Sequence, residues 1–370
     1  MGLAIGIVGL PNVGKSTLFN ALLGTSQAAA ENYPFCTIEP NLGVVPVPDK
    51  RLDALAAAVK PKRTVPTTLE FVDIAGLVAG ASRGEGLGNQ FLAHIREVNA
   101  VAHVLRCFED PDVVHIPGAV DPTSDRDVVE TELMLKDLES LEKRRERVQK
   151  ATKAPGKPGE QARHELAALD RVKAGLEAGT PVRKLSLSED DRAAVKDLFL
   201  LTEKPVVYVA NVDESQLGRA STDPCLGAVR ALAEAEGAPW VEISGKVEAE
   251  LAALSPEERT EYLGTLGLLE PGLDRLVHAG YRVLELVTFF TFNENEARAW
   301  TVRRGSHAAQ AAGAIHTDFE RGFVKAEVVR IDDFLALGSE AAAREHGKLR
   351  IEGREYVVED GDVIHFRFAT

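Results

Sequence analysis

The chain has 370 residues, 45% of them hydrophobic and 27% charged, and a formal net charge of −14. That length predicts two or three globular domains, and no apolar run approaches the roughly 18 residues of a membrane span. An acidic surface repels nucleic acid, so any RNA contact must come from a local basic patch. Residues 3–9 form a continuous apolar run ending in Gly9. With no basic segment before it and a phosphate loop after it, the run reads as a central parallel strand and not a signal peptide. Residues 15–23 then follow helical spacing, with Leu18, Phe19 and Leu22 apolar. Further apolar runs lie at residues 68–73, 100–106, 205–211 and 240–244, mostly separated by helical patterns. This alternation predicts an α/β fold with a doubly wound parallel sheet whose ligands sit at the carboxyl ends of the strands.

Between the third and fourth of these strands the character changes. Residues 127–150 are charged and helical, with Met134, Leu138, Leu141 and Val148 in a spacing interrupted at Arg145. A Pro/Gly-rich break at residues 151–159 precedes a second helical stretch, 161–177, carrying Leu166, Leu169, Val172 and Leu176. The pattern predicts an inserted antiparallel coiled-coil hairpin; two surface helices packed on the core are the alternative. From residue 284 the chain turns strand-rich and fits a β-grasp-sized module. The expected division is therefore 1–126 with 200–280 for the nucleotide domain, 127–199 for the helical insertion and 284–370 for the last module. Cys36, Cys107 and Cys225 are odd in number and widely spaced. They argue against a disulfide framework or zinc cluster and for a reducing, cytoplasmic compartment.

Gly9-Leu10-Pro11-Asn12-Val13-Gly14-Lys15-Ser16 fits G-x(4)-G-K-[ST], with a strand before it and a helix after. Backbone N–H groups from Asn12 to Thr17 would surround the phosphates of a nucleotide, at the positive end of the following helix. Lys15 would bridge the β- and γ-phosphates, in binding and in catalysis, and Ser16 would ligate Mg²⁺. Asp73, ending the strand 68–73, would support the metal shell, and the Gly76 N–H would approach the γ-phosphate. Thr37 lies between these motifs, where a switch threonine would complete the metal shell. Asn12 is also placed to help hold a K⁺ ion beside the phosphates.

The base is read after the fourth strand, where GTPases carry N-K-x-D and this chain has Asn211-Val212-Asp213-Glu214. Valine replaces the lysine, and a longer glutamate replaces the aspartate that pairs with guanine. Guanine reading is impaired by this; adenine preference does not follow from it alone. Ser244 and Gly245 match the loop that closes over the base. Leu77 occupies the position of the water-orienting glutamine, so hydrolysis must be slow or must recruit another polar group. His115, in the loop after the third strand, is the candidate.

These residues together resemble the YchF family of Obg-like ATPases, TRAFAC-class P-loop NTPases, over the whole chain. The resemblance is carried by the phosphate loop, Asn32-Tyr-Pro-Phe-Cys-Thr-Ile-Glu-Pro-Asn41, Asp73-Ile-Ala-Gly-Leu77, Gly84-Glu-Gly-Leu-Gly-Asn-Gln-Phe91, Ala299-Trp-Thr301 and Gln310-Ala-Ala-Gly-Ala-Ile-His-Thr-Asp-Phe319. It implies an OBG-type G domain, an inserted coiled coil and a C-terminal TGS domain, with ATP and Mg²⁺ bound and ATP preferred. The family's N-x-x-E pattern is met by Asn211 to Glu214, and the resemblance strengthens His115 as a catalytic residue. It also points to the ribosome and RNA as partners of a cytoplasmic monomer. Residues 143–157 carry seven basic side chains against one acidic, at the tip of the predicted hairpin. A solvated helix end is the alternative to an RNA contact there; neutralising Lys143, Arg144, Arg145 and Arg147 is expected to weaken ribosome association. Competing readings are a GTPase translation factor and a nucleotide-gated scaffold with negligible turnover.

Overall fold

The computed structural model describes residues 3–30, 41–74, 87–110 and 120–369. In chain order the elements are β1 (Ala4–Val8), α1 (Lys15–Ala30), β2 (Leu42–Pro46), α2 (Lys50–Val59), β3 (Arg63–Val65), β4 (Thr68–Asp73), α3 (Leu87–Glu97) and β5 (Ala100–Arg106). The helical region follows with α4 (Pro122–Ala151), α5 (Lys157–Glu177) and α6 (Glu189–Val195). Then come β6 (Val206–Asn211), α7 (Pro224–Glu236), β7 (Trp240–Ile243), α8 (Gly245–Ala252), α9 (Pro256–Thr265) and α10 (Gly272–Val283). The last stretch holds β8 (Leu286–Phe292), β9 (Glu296–Arg303), α11 (Ala308–Ile315), α12 (Thr317–Arg321), β10 (Phe323–Arg330), α13 (Ile331–Leu337), α14 (Glu340–Glu345), β11 (Arg350–Glu352) and β12 (Asp362–Phe368). Two compact units result, one of Met1–Val44 with Glu70–Val283, the other of Val45–Leu69 with Leu284–Thr370. Among the described residues no helix is long and apolar enough to cross a membrane.

The first unit is built on a six-stranded sheet in the order β2-β4-β1-β5-β6-β7. β1 pairs in parallel with both β4 and β5, and β5-β6 and β6-β7 are parallel too. β5 and β6 are buried along their whole length, which explains their unbroken apolar runs. Because β4 and β5 flank β1 on opposite sides, the strand order reverses there and opens a crevice at the carboxyl end of β1. Asp121 starts α4 by accepting the Thr123 and Ser124 N–H groups ahead of Pro122 at the first turn.

The helices α4 and α5 run antiparallel, since Arg144 meets Glu165 at 2.6 Å while the earlier Glu142 meets the later Lys173. Their seam is the apolar pattern of the sequence: Leu141, Val148, Leu169, Val172 and Leu176 are buried, with Met134, Leu138 and Leu166 packed against them. The base of this pair is tied down by polar groups. Asp137 accepts the Leu201 and Thr202 N–H groups at 2.8 Å each and the Thr202 hydroxyl at 2.7 Å. Glu236, at the end of α7, accepts from Tyr208 at 2.8 Å and pairs with Arg126, Arg183 and Lys184. Arg183 also forks onto Glu130 at 2.9 and 2.7 Å.

The second unit holds a sheet in the order β11-β10-β12-β8-β9-β3. β8 and β12 lie side by side in parallel at its centre, with antiparallel β9 outside β8 and antiparallel β10 outside β12. That order, with α11 covering one face, is a β-grasp fold. Phe289, Val328 and Ile364 point toward Ala308, Ala311 and Ala312 of α11, while the alternate residues Phe290, Val329 and Val363 face Leu52, Leu55 and Phe334. Residues 45–69 thus correct the sequence-based boundary: α2 fills one face of this sheet and β3 pairs in parallel with β9. No local signal marks such a pairing, because the partners are separated by more than two hundred residues of chain.

Candidate nucleotide-binding site

At the carboxyl end of β1 the chain turns through Gly9, Asn12 and Gly14 at φ of 154°, 63° and 96°. A side chain on Gly14 would put its Cβ 2.1 Å from Asn211 Nδ2, and one on Gly9 would meet the Val104 carbonyl at 2.5 Å. Both glycines are therefore required by backbone conformation and by space. Lys15 folds back over the loop, its Nζ donating to the Leu10 carbonyl at 2.8 Å. Burial pushes its amine down to about 8, against the pull of the nearby Asp73 charge. Ser16 donates to the Asp73 carboxylate, whose pKa burial raises while Lys15 and Ser16 lower it. Among the described residues Asp73 Oδ1 is buried without a partner. A serine hydroxyl and an orphaned carboxylate oxygen beside a phosphate loop fit a hard divalent cation such as Mg²⁺.

The end of β6 braces this loop. Asn211 donates from Nδ2 to the Val13 carbonyl at 2.8 Å and accepts the Gly245 N–H on Oδ1 at 3.1 Å. Both ends of its amide are thereby committed to holding the phosphate loop against the start of α8. Asn12, Gly14, Lys15, Ser16 and Thr17 line a cavity of about 440 Å³, closed further by Val212, Asp213, Ser244, Gly245 and Lys246. That size suits a nucleotide. Val13 is fully buried beneath the loop and offers the cavity no side chain. Glu214 is exposed at the start of a 3₁₀ turn and does not line the cavity. Its neighbour Asp213 does line it, and caps that turn by accepting the Ser215 N–H at 3.0 Å. Thr37, Gly76, Leu77 and His115 lie outside the described residues.

Sequence reasoning missed the wall supplied by the end of β5. Phe108, Glu109 and Asp110 line the cavity. Phe108 is held by Arg106, whose guanidinium carbon lies 4.4 Å from the ring centroid. Arg106 is almost fully buried and donates to the carbonyls of Phe108, Asn12 and Asp110 at 3.1, 3.4 and 3.4 Å. The rule that ligands gather at strand carboxyl ends pointed to this stretch; the motif search did not. Cys107 and Cys225 are joined by a disulfide with their Cα atoms 5.7 Å apart, which corrects the expectation of unpaired cysteines. Adjacent strands bring the end of β5 to the first turn of α7, an approach that cysteine spacing does not reveal.

A family model described as 50S ribosome-binding GTPase matches residues 4–150, and a YchF GTPase C-terminal model described as a protein of unknown function matches residues 286–369. The chain is 54% identical over 368 residues to a protein of Haemophilus ducreyi named ribosome-binding ATPase YchF, covering 100% of this chain and 99% of that one. A Bacillus subtilis protein of the same name is 51% identical over 370 residues, with full coverage of both. The solved structure of the Schizosaccharomyces pombe YchF GTPase matches with a TM-score of 0.90 at 39% identity, covering 99% of this chain and 98% of that one.

Proposed function

The chain belongs to the YchF family, and on that premise we propose that it is a Mg²⁺-dependent ATPase that hydrolyses slowly and binds ribosomes according to its nucleotide state. The observation that carries the reading is the phosphate loop braced by Asn211, with Lys15 folded back over the loop and Ser16 bonded to Asp73. Mg²⁺, held by Ser16 and Asp73 with Thr37, would neutralise phosphate charge. Lys15 would exchange its contact to the Leu10 carbonyl for the polyphosphate.

Adenine preference is supported by what faces the base. Phe108 and Val212 line the cavity, Glu214 lies away from it, and Asp213 is occupied as a cap. The motif's own carboxylate, Glu214, is therefore not presented to guanine's paired donors, and the purine ring can stack on Phe108. The relatives are named ATPases and the yeast structure a GTPase, so the base must be measured directly. Titration calorimetry is expected to show ATP binding tighter than GTP, and Lys15→Ala is expected to abolish both. Phe108→Ala is expected to weaken ATP about tenfold while leaving inorganic tripolyphosphate unchanged. Equal affinity for the two nucleotides would remove the adenine preference, and tighter binding of GTP would return the reading to a GTPase.

His115 is the proposed water-positioning group, because Leu77 cannot donate or accept. A K⁺ ion beside Asn12 is a further proposal; equal hydrolysis rates in K⁺ and Na⁺ would remove it. Ribosome binding is supported by the relatives' names and by the family model over residues 4–150. Cytoplasmic location follows from that partner, and a monomer is the simplest state consistent with it.

A further inference from the structure

The cations of the α4–α5 pair are not equivalent. Along its shaft they are matched: Lys136 with Glu139 at 2.6 Å, Arg144 with Glu165 at 2.6 Å, and Arg145 with Asp170 at 2.6 Å. Lys143 and Lys173 are likewise paired, with Glu139 and Glu142. Of the four basic residues singled out from sequence, Arg144 and Arg145 are therefore spent on holding the helices together and Lys143 on a pair within α4. Beyond residue 145 this matching stops. Arg147, Lys150, Lys153 and Lys157 are all exposed, and among the described residues no ion pair engages them. Only Glu146 and Glu160 are acidic within residues 146–163, which hold five basic side chains in a chain of net charge −14.

Arg147 and Lys150 are three apart on the last turns of α4 and share a face, and Lys153 and Lys157 continue past the turn into α5. Residues 143–163 contain no aromatic side chain, so there is no platform on which a base could stack. Unpaired cations without a stacking surface suit phosphates and not bases. We propose that this tip, through Arg147, Lys150, Lys153 and Lys157, docks on the phosphodiester backbone of RNA without regard to sequence. The proposal rests on the ribosome-binding reading above and names the surface that carries it.

Co-sedimentation with purified ribosomes and binding to protein-free ribosomal RNA, each across a salt series, test it. Changing Arg147, Lys150, Lys153 and Lys157 together to Gln is expected to reduce the slope of log affinity against log salt by about 3 in both assays. It is also expected to leave ATP binding and the melting temperature unchanged, since all four side chains are exposed. The triple change of Lys143, Arg144 and Arg145 to Gln is expected to lower the melting temperature and keep the salt slope. Wild-type protein that binds ribosomes with a slope equal to the quadruple variant's overturns the RNA tip and leaves ribosome binding standing. Ribosome binding that depends on the tip, with none to protein-free RNA, also overturns it, in favour of an acidic ribosomal protein. Wild-type protein that binds neither sinks both readings together.

Discussion

Asn211 shows how much of the site a single side chain controls. Its amide satisfies the Val13 carbonyl and the Gly245 N–H at once, joining the phosphate loop to the segment after β7. Replacing it with alanine removes both bonds and leaves two buried backbone groups unmatched, a cost of about 2 kcal/mol or more. Asn211→Ala is accordingly expected to weaken ATP binding by about 30-fold or more in titration calorimetry, and to lower the melting temperature. A variant that bound ATP like the wild type would show that the loop holds its shape unaided. The identity of Asn211 was plain from the sequence as the head of a base-reading motif. Its use as a brace was not, because the Val13 carbonyl it meets lies 198 residues away. Glu214 illustrates the reverse: a motif position legible in sequence that the turn at Asp213 carries out of the cavity.

At the scale of elements, the helical insertion is anchored by buried polar groups as well as by its apolar seam. Asp137 projects from α4 to cap the segment at Leu201 and Thr202. Burial pushes its pKa up to about 6, despite the opposing hydrogen bonds from Thr202 and Leu201. A carboxyl whose folded pKa lies above its unfolded value binds its proton more tightly in the folded state. Its contribution is greatest below about pH 4 and is lost as pH rises through about 6. Urea unfolding from pH 4 to 7 is expected to show wild-type stability declining relative to Asp137→Asn, by up to about 3 kcal/mol across the window. Parallel curves for the two proteins would mean that Asp137 does not titrate there. The apolar seam of α4 and α5 could be read from spacing because helix periodicity is local. Asp137 could not, because nothing in its neighbourhood distinguishes a cap from a solvated acid.

Over the whole molecule, the chain leaves the first unit at residue 44, contributes residues 45–69 to the second and returns. Leu52 and Leu55 of α2 are buried against Phe290, Val329 and Phe334. A fragment ending at residue 283 would expose that apolar face. It is expected to be poorly soluble, and replacing residues 45–69 by a short Gly/Ser linker in the same fragment is expected to restore solubility. Light scattering and yield after centrifugation distinguish the two; equal solubility would deny α2 its place in the second unit. By itself the sequence determined the phosphate loop, the alternation of strands and helices, the helical insertion and the strand-rich end, because each rests on spacing within a few residues. Only the tertiary structure decided that residues 45–69 belong to the C-terminal sheet, that Phe108 walls the cavity, that Cys107 meets Cys225 and that no ion pair among the described residues engages the cations of the tip. Those outcomes depend on which distant segments the sheets bring side by side, and strand pairing over hundreds of residues leaves no periodic trace in the chain.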